Sequence, residues 1–180
     1  MEKFKVVTRV PAGDSRDPVE VAYGLELEAL GRLGVDFISA PTESDDEFLD
    51  VAKDADALIV GHNLSRKIIQ GLTKCKIVSS GSVGTDGVDV ETATEYGIPV
   101  TNDPDTFIEE VADHSMTLLL ATYRRLNLMD QMVRDGRWKE ARPTLYNYPR
   151  LTGQTLGLIS FGHVARAVAK RAMPFGLRVL

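Results

Sequence analysis

Up to residue 101, short apolar runs alternate with stretches of helical spacing, the order expected of strand-helix units around a mostly parallel sheet. Residues 4–10 form the first predicted strand. Asp17 then offers an N-cap with Pro18 at the first helical position, and Val19, Tyr23, Leu27, Leu30 and Leu33 follow at helical spacing until Gly34. Residues 35–39 predict a second strand. Ser44 and Glu47 are spaced as a capping box and open a helix to about Ala52. Strands at 57–60 and 76–80 flank a short helix at 65–72; a helix over 90–96 stops at Gly97, and residues 98–101 make the fifth strand.

Beyond this point the texture changes. Asn102-Asp103-Pro104-Asp105 is a turn-rich joint, and Thr106 with Glu109 predicts the cap of one helix running from Phe107 to about Arg134, long enough to span between domains. Residues 143–150 predict a tyrosine-containing loop. A strand over 155–159 leads into Ser160-Phe161-Gly162-His163-Val164-Ala165. The helix that follows carries Val164, Ala165, Val168, Ala169 and Ala172 on one face, Pro174 and Gly176 end it, and residues 177–180 begin another strand. The expectation is an α/β protein in two parts, residues 1–102 and residues 103–180.

Hydrophobic residues make up 43% and charged residues 26% of the 180, as in an ordinary globular domain. The 21 bases are scattered among 26 acids, which argues against a nucleic-acid surface. The single cysteine, Cys75, excludes an intrachain disulfide framework and a cysteine-only metal site, and suits a reducing cytosol. No apolar run approaches the roughly 18 residues of a membrane span. The opening residues 1–9 carry charges instead of a signal-peptide core, and the most apolar stretch, 111–121, is interrupted by Asp113 and His114. A soluble cytoplasmic protein with no nucleic-acid, membrane or metal partner is expected.

The turn at 160–165 carries the first chemistry. A strand that enters a tight turn and starts a helix at once leaves the N–H groups of His163 and Val164 facing outward at the positive helix end, where an anion is stabilised. Gly162 lets a pyrophosphate approach the backbone, and Ala165 lets helix and strand pack closely. Ser160 stands where the dinucleotide motif has its first glycine. From these residues alone, a dinucleotide cradle and a plain strand-helix turn both remain open.

Longer motifs add context: Ser82-Val83-Gly84-Thr85-Asp86-Gly87-Val88-Asp89, Ala93-Thr94-Glu95-Tyr96-Gly97-Ile98-Pro99-Val100-Thr101-Asn102, Glu110-Val111-Ala112-Asp113-His114 and Leu151-Thr152-Gly153-Gln154-Thr155-Leu156-Gly157-Leu158-Ile159. Across essentially the whole chain the sequence resembles the D-isomer-specific 2-hydroxyacid dehydrogenases, the family of phosphoglycerate dehydrogenase. Asp103-Pro104-Asp105 and residues 109–114 look most like the branch that includes the C-terminal-binding-protein corepressors. The resemblance implies a flavodoxin-like substrate domain over 1–102, then a linker helix and the start of a Rossmann NAD-binding domain over 103–180. It further implies that Val83 and Gly84 receive a substrate carboxylate on backbone N–H groups; the alternative is a plain turn. Asp86 and Asp89 are expected to cap the turn and the following helix. His62 matches the substrate-facing loop, or is a solvent-facing loop histidine. Asn102 lines the family's cleft, Ser115 matches a small hydroxyl residue near the nicotinamide, and Ser160 and residues 162–165 hold the cofactor, NAD or alternatively NADP.

Reduction of a 2-keto acid needs a proton donor and an orienting cation. The family's histidine, arginine and acid lie in its C-terminal half, and none of the three histidines here matches them. No catalytic residue is therefore assigned. His114 is expected to be a helix-packing or hinge residue, because neighbouring helical residues such as Asp113 and His114 point apart. His163 is expected to act through its backbone, with its side chain near solvent. The implied protein is a homodimeric oxidoreductase transferring hydride between nicotinamide and a D-2-hydroxy or 2-keto acid, of which residues 1–180 form an N-terminal, inactive portion. The alternative is a non-catalytic dinucleotide-sensing module resembling the corepressors.

Overall fold

Val7, Leu58 and Val78 have no exposed surface and lie side by side on three neighbouring strands, the arrangement of a parallel sheet covered on both faces. The computed structural model describes residues 3–10, 24–61 and 63–180. The chain divides into two compact units, Met1–Pro104 and Asp105–Leu180. The N-cap expected at Asp17 and the helical positions up to Tyr23 lie outside the described residues.

In the first unit, strands β1 (Lys5–Val10), β2 (Asp36–Pro41), β3 (Ala57–Val60), β4 (Ile77–Ser80) and β5 (Val100–Thr101) alternate with helices α1 (Gly24–Gly31), α2 (Asp45–Ala52), α3 (Arg66–Gly71) and α4 (Val90–Glu95). The strands are all parallel in the order β2-β1-β3-β4-β5, the flavodoxin-like arrangement. The helices begin where local chemistry dictates. Ser44 Oγ accepts the Glu47 N–H while Glu47 returns its carboxylate to the Ser44 N–H, both at 3.3 Å. Ser65 caps α3, and Asp89 caps α4 through the Thr92 N–H at 2.9 Å. Phe48, Ile68 and Ile69 from α2 and α3 complete the core over β1, β3 and β4.

Asp56 is the buried acid among the described residues of this unit, 7% exposed where β3 begins. The Lys5 backbone N–H at 2.9 Å, aided by Lys76 and Lys74, holds its carboxyl below the ordinary aspartate range despite the burial. A carboxyl depressed in the folded state contributes stability above its unfolded pKa of about 3.9, and that stability is lost as pH falls through the folded value. Asp56→Asn is therefore expected to destabilise the chain at pH 7, with the gap to the unmodified protein narrowing below about pH 4. Urea unfolding at several pH values measures it; a gap that widens on acidification contradicts the assignment.

The second unit contains α5 (Ile108–Tyr123), α6 (Leu126–Arg134), α7 (Trp138–Thr144), β6 (Thr155–Leu156), α8 (His163–Ala172) and β7 (Arg178–Val179), with 3-10 turns at Leu145–Asn147 and Met173–Phe175. β6 and β7 pair in parallel. Ala112 of α5 and Ala172 of α8, both fully buried, share a core with Met116, Val168 and Leu177. Arg171 ties α8 to α5, donating to Asp113 at 2.6 Å and also to Glu109.

Four expectations for this unit are corrected. The single helix over 107–134 is two helices, because Arg125 takes a left-handed backbone (φ 50) between them and its guanidinium stacks 4.6 Å from the Tyr148 ring. α6 then buries Met129 and Met132 against Ala141. The expected Thr106 cap is replaced by Phe107, itself left-handed (φ 65) and without a side-chain cap bond. The loop over 143–150 begins inside α7, which keeps Pro143 in its last turn, and continues as a 3-10 turn. The strand over 155–159 stops at Leu156. Leu158 still donates to Leu180 at 2.7 Å, and Ile159 stands fully exposed.

Candidate functional site

The carboxyl ends of parallel strands are where open α/β sheets bind ligands. Here the segment after β4 is fastened on three sides. Ser82 Oγ donates to the Gly61 carbonyl at 2.6 Å, joining it to the segment after β3. The Leu64 N–H reaches Gly87 at 2.6 Å, and the Asp89 N–H returns to Leu64 at 3.0 Å. From the segment after β5, the Asp103 N–H donates to Ser82 O at 3.1 Å and Asn102 Nδ2 donates to Val83 O at 2.7 Å.

With the carbonyls so engaged, the N–H groups of Val83 and Gly84 donate to no acceptor among the described residues. Two successive free N–H groups form an anion-binding hollow. A cavity of about 250 Å³ opens beside them, between Gly61, Ser80, Ser82 and Asp86. A larger groove of about 820 Å³ adjoins it and reaches Arg9, Asp45 and Arg66.

Among the described residues, the cations of that groove are already matched. Asp45 accepts from Ser65 Oγ at 2.6 Å and from Arg9 at 2.8 Å; the serine hydroxyl foremost, with the arginine, holds its carboxyl below the usual range despite partial burial. Arg66 lies 3.6 Å from Asp89 and donates to Thr92 at 2.9 Å. Neither guanidinium is therefore left without a partner.

Val83, Gly84 and Asn102 are thus brought together, although the Asn102 amide is spent on the loop's own carbonyl. His62 lies outside the described residues. Ser82 was not among the expected contributors; its part shows only in the folded chain, through the bond to Gly61.

In the second unit, the turn before α8 presents a different backbone. Gly162 is the N-cap, in extended conformation and with no side chain to satisfy the helix's first donors. The first intrahelical bond runs from Arg166 N–H to Gly162 O at 3.0 Å, so the N–H groups of His163, Val164 and Ala165 have no acceptor among the described residues. Nothing lies within 4 Å of where a Gly162 Cβ would be, so the space in front is open. Val164 packs on the unit's core while Ala165 is half-buried. The exposed His163 ring meets Asp105 at 2.6 Å. Ser115, on α5, donates its hydroxyl to Val111 O at 2.7 Å.

Ser160 has φ 74, a left-handed backbone of the kind that favours glycine. Such a conformation costs an L residue about 1–2 kcal/mol. Ser160→Gly is accordingly expected to be more stable than Ser160→Ala by about 1 kcal/mol, read as a higher thermal midpoint. Equal midpoints would show that the turn carries no strain.

Asp113 is committed to Arg171 and His114 is exposed, so the two form no dyad; of the packing or hinge role expected for His114, the exposed ring does not support packing. Among the described residues no cluster of metal-ligating side chains occurs, and no helix is long and apolar enough to cross a membrane.

The model of the D-isomer specific 2-hydroxyacid dehydrogenase catalytic domain matches residues 17–173. A glyoxylate reductase of Pyrococcus furiosus is 37% identical over 141 residues, covering 75% of this chain and 42% of the relative. A D-3-phosphoglycerate dehydrogenase of Methanocaldococcus jannaschii is 36% identical over 156 residues, 86% of this chain and 28% of that one. The chain thus spans less than half the length of these relatives. The structure of D-lactate dehydrogenase from Aquifex aeolicus, complexed with NAD and lactic acid, superposes with a TM-score of 0.72 at 24% identity, over 97% of this chain and 50% of that one.

Proposed function

Because this chain belongs to the D-isomer specific 2-hydroxyacid dehydrogenase family, we propose that the native gene product is an oxidoreductase moving a hydride between NAD, or NADP, and a small 2-hydroxy or 2-keto acid. The observation that carries the reading is the pair of free N–H groups at Val83 and Gly84, at the carboxyl end of a parallel sheet. A carboxylate accepting both would be held by fixed backbone dipoles, and no side-chain cation is required to anchor it. His62 is assigned as a further substrate contact, and residues 1–102 as the substrate domain.

Residues 103–180 are assigned as linker helix and opening of the nucleotide domain. The dinucleotide's diphosphate would meet the N–H groups of His163, Val164 and Ala165, across the side-chain-free Gly162 and the Ser160 turn. The residues present fit the group, and when bound it supplies the hydride. The NAD complex of the Aquifex relative supports this cofactor class. Ser115 would face the nicotinamide as an acceptor, its proton being already donated to Val111. The proton donor and orienting cation are assigned outside residues 1–180. A cytoplasmic homodimer acting on small molecules completes the proposal.

Oxidation of NADH or NADPH by the native gene product, with glyoxylate, pyruvate and longer 2-keto acids, tests it. Turnover with any of them supports the enzyme. No turnover, together with nucleotide-dependent self-association, would favour the dinucleotide-sensing alternative.

A further inference from the structure

A peptide unit is planar, and its C=O and N–H point in opposite directions. Ser82 O shares its plane with Val83 N–H, and Val83 O shares its plane with Gly84 N–H. Both carbonyls are held from one side by a single short segment, Ser82 O by the Asp103 N–H at 3.1 Å and Val83 O by Asn102 Nδ2 at 2.7 Å. Fastening the two carbonyls toward residues 102–103 turns both N–H groups the other way, away from that segment. A hydrogen bond to the carbonyl also polarises the peptide, so the N–H opposite becomes a better donor.

We propose that Asn102 is a positioning residue: its amide fixes the direction and strength of the Gly84 N–H instead of touching the substrate. This rests on the reading of residues 83 and 84 as a carboxylate site. Two features make the side chain specific. An amide provides the N–H donor that Val83 O needs, whereas an aspartate at the same place would bring only acceptors. The adjoining tether from Asp103 is backbone and survives any side-chain change, so Asn102 is the one member of the pair that substitution can remove.

The test uses the 180-residue chain, nitrogen-15-labelled, titrated with glycolate and followed through the amide signals of Val83 and Gly84. Both signals are expected to move on titration. In Asn102→Leu, the Gly84 amide is expected to shift before ligand is added, with the signals of β1 and β3 unchanged, and glycolate affinity to fall about 10-fold, the loss of one hydrogen bond to a charged group. Affinity within about twofold of the unmodified chain would overturn the positioning role and leave the carboxylate site standing. If neither amide responds to glycolate in the unmodified chain, the site itself is refuted and the role with it. Should the variant not fold, a scalar coupling across the hydrogen bond from Asn102 Nδ2 to the Val83 carbonyl decides the matter, its absence overturning the proposal.

Discussion

Gly162→Asp is expected to weaken dinucleotide binding by the native gene product at least 100-fold while leaving its thermal stability unchanged or slightly raised. The backbone at Gly162 (φ −74, ψ −164) is the extended conformation of an N-cap, which any residue can adopt. An aspartate there would accept the free N–H groups of α8 and interact favourably with the helix dipole, for a gain of a few tenths of a kcal/mol. The same carboxylate would sit where the diphosphate is assigned. Two like charges roughly 4 Å apart repel by about 4 kcal/mol near a protein surface, more than enough for two orders of magnitude. Gly162→Asn separates the causes, since it caps the helix without charge and should lose less affinity. NADH fluorescence titration and thermal melts of both variants give the result. Binding by the aspartate variant within about threefold of the unmodified protein would remove the diphosphate from this turn.

The largest effect on stability is expected at Phe48. Its side chain has no exposed surface, lies between α2 and the sheet, and carries the Arg9 guanidinium 5.5 Å from the ring centroid. Phe48→Ala removes the ring from a close-packed site and leaves a void that neighbours on rigid strands cannot fill, at a cost of about 3–5 kcal/mol. Domains of this kind are stable by about 5–15 kcal/mol, so the loss takes a large share. Phe48→Leu, which restores most of the volume, should recover more than half of it. Urea unfolding measures both. A cost under about 1 kcal/mol for the alanine variant would mean that Phe48 does not hold α2 to the sheet.

Ser82 and Asn102 show why the site was only partly legible beforehand. The motif around Val83 and Gly84 singled out this loop, and its resemblance to a family suggested the chemistry. What the residue types could not reveal is that the Asn102 amide bonds a carbonyl 19 residues away, or that the Ser82 hydroxyl reaches back 21 residues to Gly61. Ser160 was visible as a departure from glycine, but its left-handed backbone, and hence its strain, belongs to the folded turn. Arg125 gave no warning at all. Neither glycine nor proline interrupts residues 107–134, and the break between α5 and α6 coincides with a stack on Tyr148, 23 positions later in the numbering.

The alternation of strands and helices in the first unit, the capping box at Ser44 and Glu47, and the stops at Gly34 and Gly97 were set by the chain's own neighbourhoods. Periodicity, caps and left-handed glycines depend on residues a few positions apart, so they can be read one segment at a time. Which carbonyl each loop amide would meet, which N–H groups would be left free, and where a helix would yield to a distant ring were decided only in the assembled fold. Those choices depend on the path that brings remote segments within about 3 Å, and a hydrogen bond lost beyond that range leaves no trace in the local pattern.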